Sequence, residues 1–335
     1  MRLASIVAIL ACLGAFASPA HAQSDFYKGK TINVVVGARA VGSLSVSAQI
    51  LTRHWGRYIP GNPTVILRQM PGGAHLNATN YIYNVAEADG LTILAANPNV
   101  AMGQLAKLSN VRFDATKYIW LGSSGPDGSM FAIRSSLPYK TFQELKDSGQ
   151  EIVVGTTGPG SNAHDMPLLL KEFAGLKVRL VAGYAANSDI LLAVERKESD
   201  GYSALATTIQ LAVDRGAVRP LVRSRTPVPG WNQLPTDESL ATSDIGRSLM
   251  AIRGIPQSIG RAFAVRPGTP ADRVAILREA LAKTINDPEL QAEAKKAKIQ
   301  MEHISADNVT KWFGDLLNQP PNVLEAMHKY LKVGE

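Results

Sequence analysis

Cysteine is nearly absent: Cys12 is the only one in 335 residues, and it falls in an N-terminal segment expected to be removed. A mature chain without it has no disulfide, no cysteine-held metal and no thiol nucleophile. Beyond that segment no apolar run is long enough to span a bilayer. Long basic runs are also missing. Lys and Arg are scattered, with nothing longer than Lys295-Lys296, so the net charge of +7 implies a general preference for anions and no nucleic-acid surface. The patterns H-E-x-x-H and G-x-S-x-G and the glycine-plus-acid dinucleotide fingerprint do not occur, and no lysine follows the glycines as a phosphate loop requires. That removes the usual arguments for catalysis without excluding it. No cofactor and no metal site is expected. His75 and His164 sit near loops but far apart, without clustered acids, and a structural role suits them better.

What is present begins with Met1-Arg2, an apolar run from Leu3 to Ala17, and Ser18-Pro-Ala-His-Ala22. A short positive start, a short apolar stretch and an Ala-x-Ala site describe a secretory signal peptide over residues 1–22. The mature protein is then expected in the periplasm, starting near Gln23. Lipid attachment at Cys12 is the alternative, and it would leave an apolar tail on the product. With 45% apolar and 19% charged residues, the remainder has enough to bury for a globular fold of one large or two ordinary domains.

The chain is organised around Ile152–Asp165, IVVGTTGPGSNAHD. Ile152–Val154 predicts a buried strand, Gly155 to Asn162 a tight turn, and Ser161 or Asn162 the cap of a helix burying Met166, Leu169, Leu170 and Phe173. Such a turn aims backbone N–H groups at its guest, and the helix N-terminus adds partial positive charge, so a carboxylate or phosphate suits it. A purely structural turn has the same pattern. The device recurs at Thr31–Val36, TINVVV, followed by Gly37-Ala-Arg-Ala-Val-Gly-Ser43 and an amphipathic stretch to Tyr58.

Strands are further expected at Thr64–Leu67, Leu91–Ala95, Ile119–Leu121, Met130–Arg134, Val178–Val181, Tyr202–Ala206 and Ile259–Val265, with helices between most of them. That alternation predicts mainly parallel sheets with ligand loops at the strand C-terminal ends. The glycine-rich stretch Gly122–Ser129 marks a domain crossing, and Ile259–Val265 the return. Arg219–Gly254, rich in proline, shows no clear pattern. Thr141-Phe-Gln-Glu144 is a capping box, Thr269-Pro270 and Asp287-Pro288 open helices, Ser305 caps another, and Val323–Leu331 forms the last. The C-terminal helices are expected to pack on the first domain.

Several blocks together resemble a known family. FYKGKTINVVVG, YIPGNPTVILRQMPGG, NYIYNVAEADG, the GTTGPGS turn, GYAANSDILLAVERKESDG and PGTPADRVAILREALAKTINDPEL look like the periplasmic substrate-binding receptors of tripartite tricarboxylate transporters, often called Bug receptors. The likeness covers nearly the whole mature chain, with the blocks in the family's order. It implies an α/β, two-lobed periplasmic-binding-protein fold of type II, each lobe a mainly parallel sheet flanked by helices, joined by two crossing strands. Residues 23–126 and 259–335 would form lobe 1 and 127–258 lobe 2. A small organic carboxylate would bind between them and pass to the permease subunits of a membrane transporter.

Carried over position by position, the second lobe keeps the family pattern at Thr156, Thr157, Gly160, Ser161 and Asn162, with Tyr184, Ala186 and Asn187 in the next loop and Thr207 at the end of a further strand. Tyr184 either stacks on the ligand or packs in the core. In the first lobe the family's GGGxD is replaced by Val41-Gly42-Ser43-Leu44-Ser45, so Ser45 stands where the acid belongs, and Arg39 replaces a small or apolar residue. Gly42, Ser43, Ser45 and Arg39 remain ligand candidates, with Asn97 on the rim. Arg39 can grip a carboxylate bidentately; the alternative is a solvent-facing or acid-paired side chain. A monomer is the default for a receptor that opens and closes. Two other functions stay open: an extracytoplasmic hydrolase of carboxylate or phosphate esters with Ser161 as nucleophile and His164 as base, and a ligand sensor for a signalling kinase.

Overall fold

The computed structural model describes residues 26–38 and 43–331. The expected signal peptide, and the expected ligand residues Arg39 and Gly42, lie outside the described residues.

In chain order the elements are β1 (Thr31–Val36), α1 (Ser43–Trp55), β2 (Thr64–Gln69), α2 (Leu76–Asn84), β3 (Thr92–Ala96), α3 (Val100–Leu105), β4 (Ile119–Ser123), β5 (Ser129–Arg134), α4 (Phe142–Asp147), β6 (Ile152–Gly155), α5 (Asn162–Ala174), β7 (Val178–Val181), α6 (Asn187–Glu195), β8 (Gly201–Leu205), α7 (Ala206–Asp214), β9 (Val218–Arg223), α8 (Asp237–Leu240), α9 (Asp244–Ile259), β10 (Ala262–Val265), α10 (Ala271–Ile285), α11 (Pro288–Lys296), α12 (Ala306–Leu317) and α13 (Pro321–Leu331). None of the described helices is long and apolar enough to cross a membrane.

They build two five-stranded sheets, ordered β2-β1-β3-β10-β4 and β7-β6-β8-β5-β9. In the first, β1 runs parallel to β2 and β3, with Val34 opposite both Leu67 and Ile93. In the second, β6 runs parallel to β7 and β8. The β-branched run TINVVV is buried along most of its length, as a central parallel strand covered on both faces requires. Each sheet also takes one antiparallel strand in its interior: β10 lies between β3 and β4, and β5 between β8 and β9. These are the strands by which the chain enters the second sheet and returns to the first. The two sheets therefore repeat one topology, and the turn after β1 corresponds to the turn after β6.

The crossings, residues 124–128 and 260–261, bond to one another. Ser124 N–H donates to the Arg261 carbonyl at 3.0 Å, Arg261 N–H to the Gly125 carbonyl at 3.2 Å, and Asp127 N–H to the Gln257 carbonyl at 3.1 Å. Gly260 has φ +67°, and a Cβ there would come 2.0 Å from the Gly125 carbonyl oxygen, so only glycine fits.

Apolar packing joins the two units at the back. Trp120 stacks on Phe313 of α12 at 4.2 Å, Phe173 of α5 meets Tyr330 of α13 edge-on at 4.9 Å, and one buried cluster contains all but Tyr330, which packs against it. Thus α12 covers β4 while α13 rests on α5 and α9, helices of the second sheet. The C-terminal helices are shared between the units, beyond their expected place on the first. A second cluster fills the first lobe around Trp55, which meets Phe263 at 5.4 Å. Helix α9, capped by Ser243, runs through Ile259, so the returning strand starts only at Ala262. Thr141 caps α4 as expected, Asp287 caps α11 and Ser305 caps α12. Pro270 stands at the N-cap of α10 without a side-chain bond, because the Thr269 hydroxyl donates instead to the Arg266 carbonyl.

Candidate ligand site

The turn after β6 is tied together from within. Ser161 is the N-cap of α5 and accepts from the His164 N–H at 3.3 Å; its own hydroxyl donates to the Gly158 carbonyl at 2.7 Å. The Thr157 hydroxyl lies 2.8 Å from Ser161 Oγ. Gly158 and Gly160 have φ of +113° and +82°, backbone that favours glycine. Buried Asp165 reaches back to accept from the Gly160 N–H at 3.0 Å and meets His164 Nδ1 at 2.9 Å. Burial pushes the Asp165 carboxyl up, and His164, the Gly160 N–H and nearby Arg253 pull it back.

Behind this turn stands Arg253, 3% exposed, on α9. Its Nη1 donates to Ser129 Oγ at 3.1 Å and to Asn162 Oδ1 at 3.2 Å, and its Nη2 pairs with Asp237. The amides of Gln257 and Asn162 meet at 2.8 Å. The side chains of Ser161, Thr157 and Asn162 are thus engaged with the protein. What the turn offers a guest is its backbone, since the first N–H groups of a helix, here those of Asn162 and Ala163, have no intrahelical acceptor. One side chain stands apart. The Thr156 hydroxyl is fully buried and has no partner among the described residues.

The hydrolase reading gains an orienting acid in Asp165 but lacks its central contact. His164 Nδ1 faces Asp165, while the Ser161 hydroxyl proton goes to the Gly158 carbonyl. A serine nucleophile needs its hydroxyl on the imidazole.

In the first lobe, Ser43 opens α1 near Asp127 and favours the charged form of its carboxyl. Ser45 is buried, 1% exposed. Asn97 closes a local turn, its Oδ1 accepting from the Asn99 N–H at 3.0 Å. Gly37 lies so near His75 that a Cβ would come 2.9 Å from the His75 Cα, and burial pushes the His75 imidazole down. In the loop after β7, the Tyr184 ring lies over Gly155, where a Cβ would come 3.0 Å from it; the Ala186 N–H donates to Asp189 Oδ2 at 3.1 Å, and Asn187 begins α6.

The two lobes meet on Asp127, which sequence reasoning passed over. Its Oδ2 accepts from the Thr207 hydroxyl at 3.1 Å and lies 3.2 Å from Arg261 Nη1. Ser43 of the first lobe and Thr207 of the second therefore both act on one carboxylate of the crossing segment. Burial pushes Asp127 up, and Arg261, Thr207 and Ser43 pull it back. A pocket of about 170 Å³ opens beside this hub, lined by Pro126, Asp127, Thr207, Gln210, Arg261 and Lys298 among others. Of the expected ligand residues among those described, only Thr207 lines it. A larger hollow of about 400 Å³ between α9 and α12, with Ile252, Ile255 and Trp312 in its wall, contains none of those that are described.

Three solved structures share this architecture. A TctC solute-binding protein from Polaromonas superposes with TM-score 0.70 at 18% identity, over 90% of this chain and 99% of that one. The periplasmic binding protein BugD gives 0.66 at 20%, over 91% and 98%. MatC from Rhodopseudomonas palustris, with bound malate, gives 0.65 at 15%, over 88% and 99%. The fold is the two-lobed fold of periplasmic binding proteins. No protein-family model and no curated protein matches the chain.

Proposed function

We propose that this chain is a periplasmic receptor of the tripartite tricarboxylate type, which captures a small organic carboxylate between its lobes and delivers it to a membrane permease. The α5 turn carries the reading. Its backbone N–H groups and helix dipole suit a carboxylate, Arg253, paired with Asp237, holds Asn162 in place behind it, and the unpartnered Thr156 hydroxyl lies beside it. Asp127, neutralised by Arg261, already occupies the hydroxyl of Thr207, with Ser43 close by. The ligand's acid group is therefore left to the α5 turn, and its second end to the turn after β1, which includes Arg39. The similarly folded MatC holds malate, a dicarboxylate. Closure of the hinge on the ligand would give the permease its signal.

A thermal-shift panel of aliphatic and aromatic mono- and dicarboxylates tests this, with phosphate and sugars as controls. A ligand at a hundred times its dissociation constant stabilises by about 2.7 kcal/mol. Shifts with carboxylates alone support the reading. Shifts with sugars or phosphate and none with carboxylates would contradict it, and turnover of an ester lost in Ser161→Ala would favour the hydrolase.

A further inference from the structure

We propose that the first lobe holds a divalent transition-metal ion between α1 and α11, bound by His54, Asp287 and Glu289. His54, near the end of α1, is 6% exposed, and its Nε2 lies 2.9 Å from Glu293 Oε2. A ring nitrogen that close to a carboxylate carries the proton, and in the neutral ring that leaves the lone pair on Nδ1. Nδ1 is buried with no hydrogen-bond partner among the described residues, and it faces Asp287 Oδ2 at 3.9 Å.

The acids are arranged to meet it. Asp287 Oδ1 accepts from the N–H groups of Glu289 at 2.7 Å and Leu290 at 3.3 Å, which fixes that carboxylate as the cap of α11. Oδ2 is left towards His54, with the Tyr58 hydroxyl at 2.9 Å. The ligand atoms of His54, Asp287 and Glu289 all lie within 4.8 Å of one another. Donors sharing a tetrahedral ion at ordinary bond lengths are roughly 3.4 Å apart, so a small contraction assembles the site. One imidazole nitrogen and two carboxylates balance a 2+ charge and suit Zn²⁺; Mg²⁺ and Ca²⁺ take oxygen alone.

Arg57 stands in the ion's place. Its Nη1 lies 2.5 Å from Glu289 Oε2 and 3.8 Å from Asp287 Oδ2, and its side chain is half exposed and free to swing into solvent. Glu293, also held by Arg53, then orients His54 from behind, as carboxylates do for metal-bound histidine. The bound ion would staple α1 to α11 across the first lobe's core, independently of what binds between the lobes.

The test is calorimetric titration of untagged protein with Zn²⁺, with Mg²⁺ and Ca²⁺ as controls and Co²⁺ as a visible-absorption reporter. One Zn²⁺ per chain is expected, with tetrahedral-type Co²⁺ bands. Glu289→Gln should abolish tight binding, Glu293→Gln should weaken it roughly tenfold or more, and Arg57→Ala should tighten it by removing the competing cation. Glu289 and Arg57 are exposed and Glu293 partly so, and their variants remain informative if substitution of buried His54 unfolds the chain. No Zn²⁺ uptake, an affinity indifferent to Glu289→Gln, or weaker binding in Arg57→Ala would overturn the proposal and leave Arg57 as the cluster's own cation.

Discussion

Asp127 and Arg261, one from each crossing segment, form a buried ion pair of 3.2 Å, 7% and 4% exposed. Removing one partner strands the other's charge away from water. Asp127→Ala is expected to cost about 3–5 kcal/mol in urea unfolding, and replacing both residues by apolar ones less than the sum of the single changes. Additive effects would mean that the pair is not coupled.

The crossing segments also depend on backbone contact. Gly260→Ala would drive a methyl group against the Gly125 carbonyl at a residue with positive φ. Where Gly→Ala suits the backbone it stabilises slightly; here a loss well above the ~1 kcal/mol typical of single substitutions is expected, read as a lower unfolding midpoint. A neutral result would show that the crossings separate easily.

Thr156 and Ser161 should part company under substitution. Thr156→Val removes an unpartnered buried hydroxyl at nearly constant volume, so stability should hold or rise, whereas carboxylate affinity should fall roughly tenfold or more. Ser161→Ala removes a helix cap and should cost about 1 kcal/mol of stability in the unliganded protein. If Thr156→Val leaves the affinity of a stabilising carboxylate untouched, that hydroxyl serves no ligand.

The paired strand–helix units were legible in the sequence because β-branched strands, glycines and capping residues are local signals. TINVVV and IVVG became β1 and β6, and Ser161 became the cap. Asp127, Arg253 and Arg261 were not legible. Each acts through partners far along the chain: Asp127 through Thr207 and Arg261, Arg253 through Ser129, Asn162 and Asp237. Asp127 did have a trace, a lone acid in the glycine-rich stretch already marked as a crossing. Helix α9 was hidden by Gly246, Gly254 and Pro256 in its interior, which weaken any helical pattern.

Burial lowers the pKa of His75 and also of His303. The unfolded chain takes up these protons near the ordinary histidine pKa of about 6.5, the folded chain only at lower pH. Their contribution to stability is therefore complete above about pH 6.5 and is lost as pH falls below it. Melting scans from pH 7.5 to 5.5 should show a falling midpoint, and His75→Gln should flatten that slope while leaving the His303 share. A slope unchanged in His75→Gln would remove His75 from this linkage.

Hydrogen–deuterium exchange with and without a stabilising dicarboxylate is the most direct test of capture between the lobes. Protection is expected jointly around Ser43, after β1, and around Ser161, after β6, with the α9–α12 hollow unchanged. Protection confined to one lobe, or centred on that hollow, would contradict a ligand gripped by both turns.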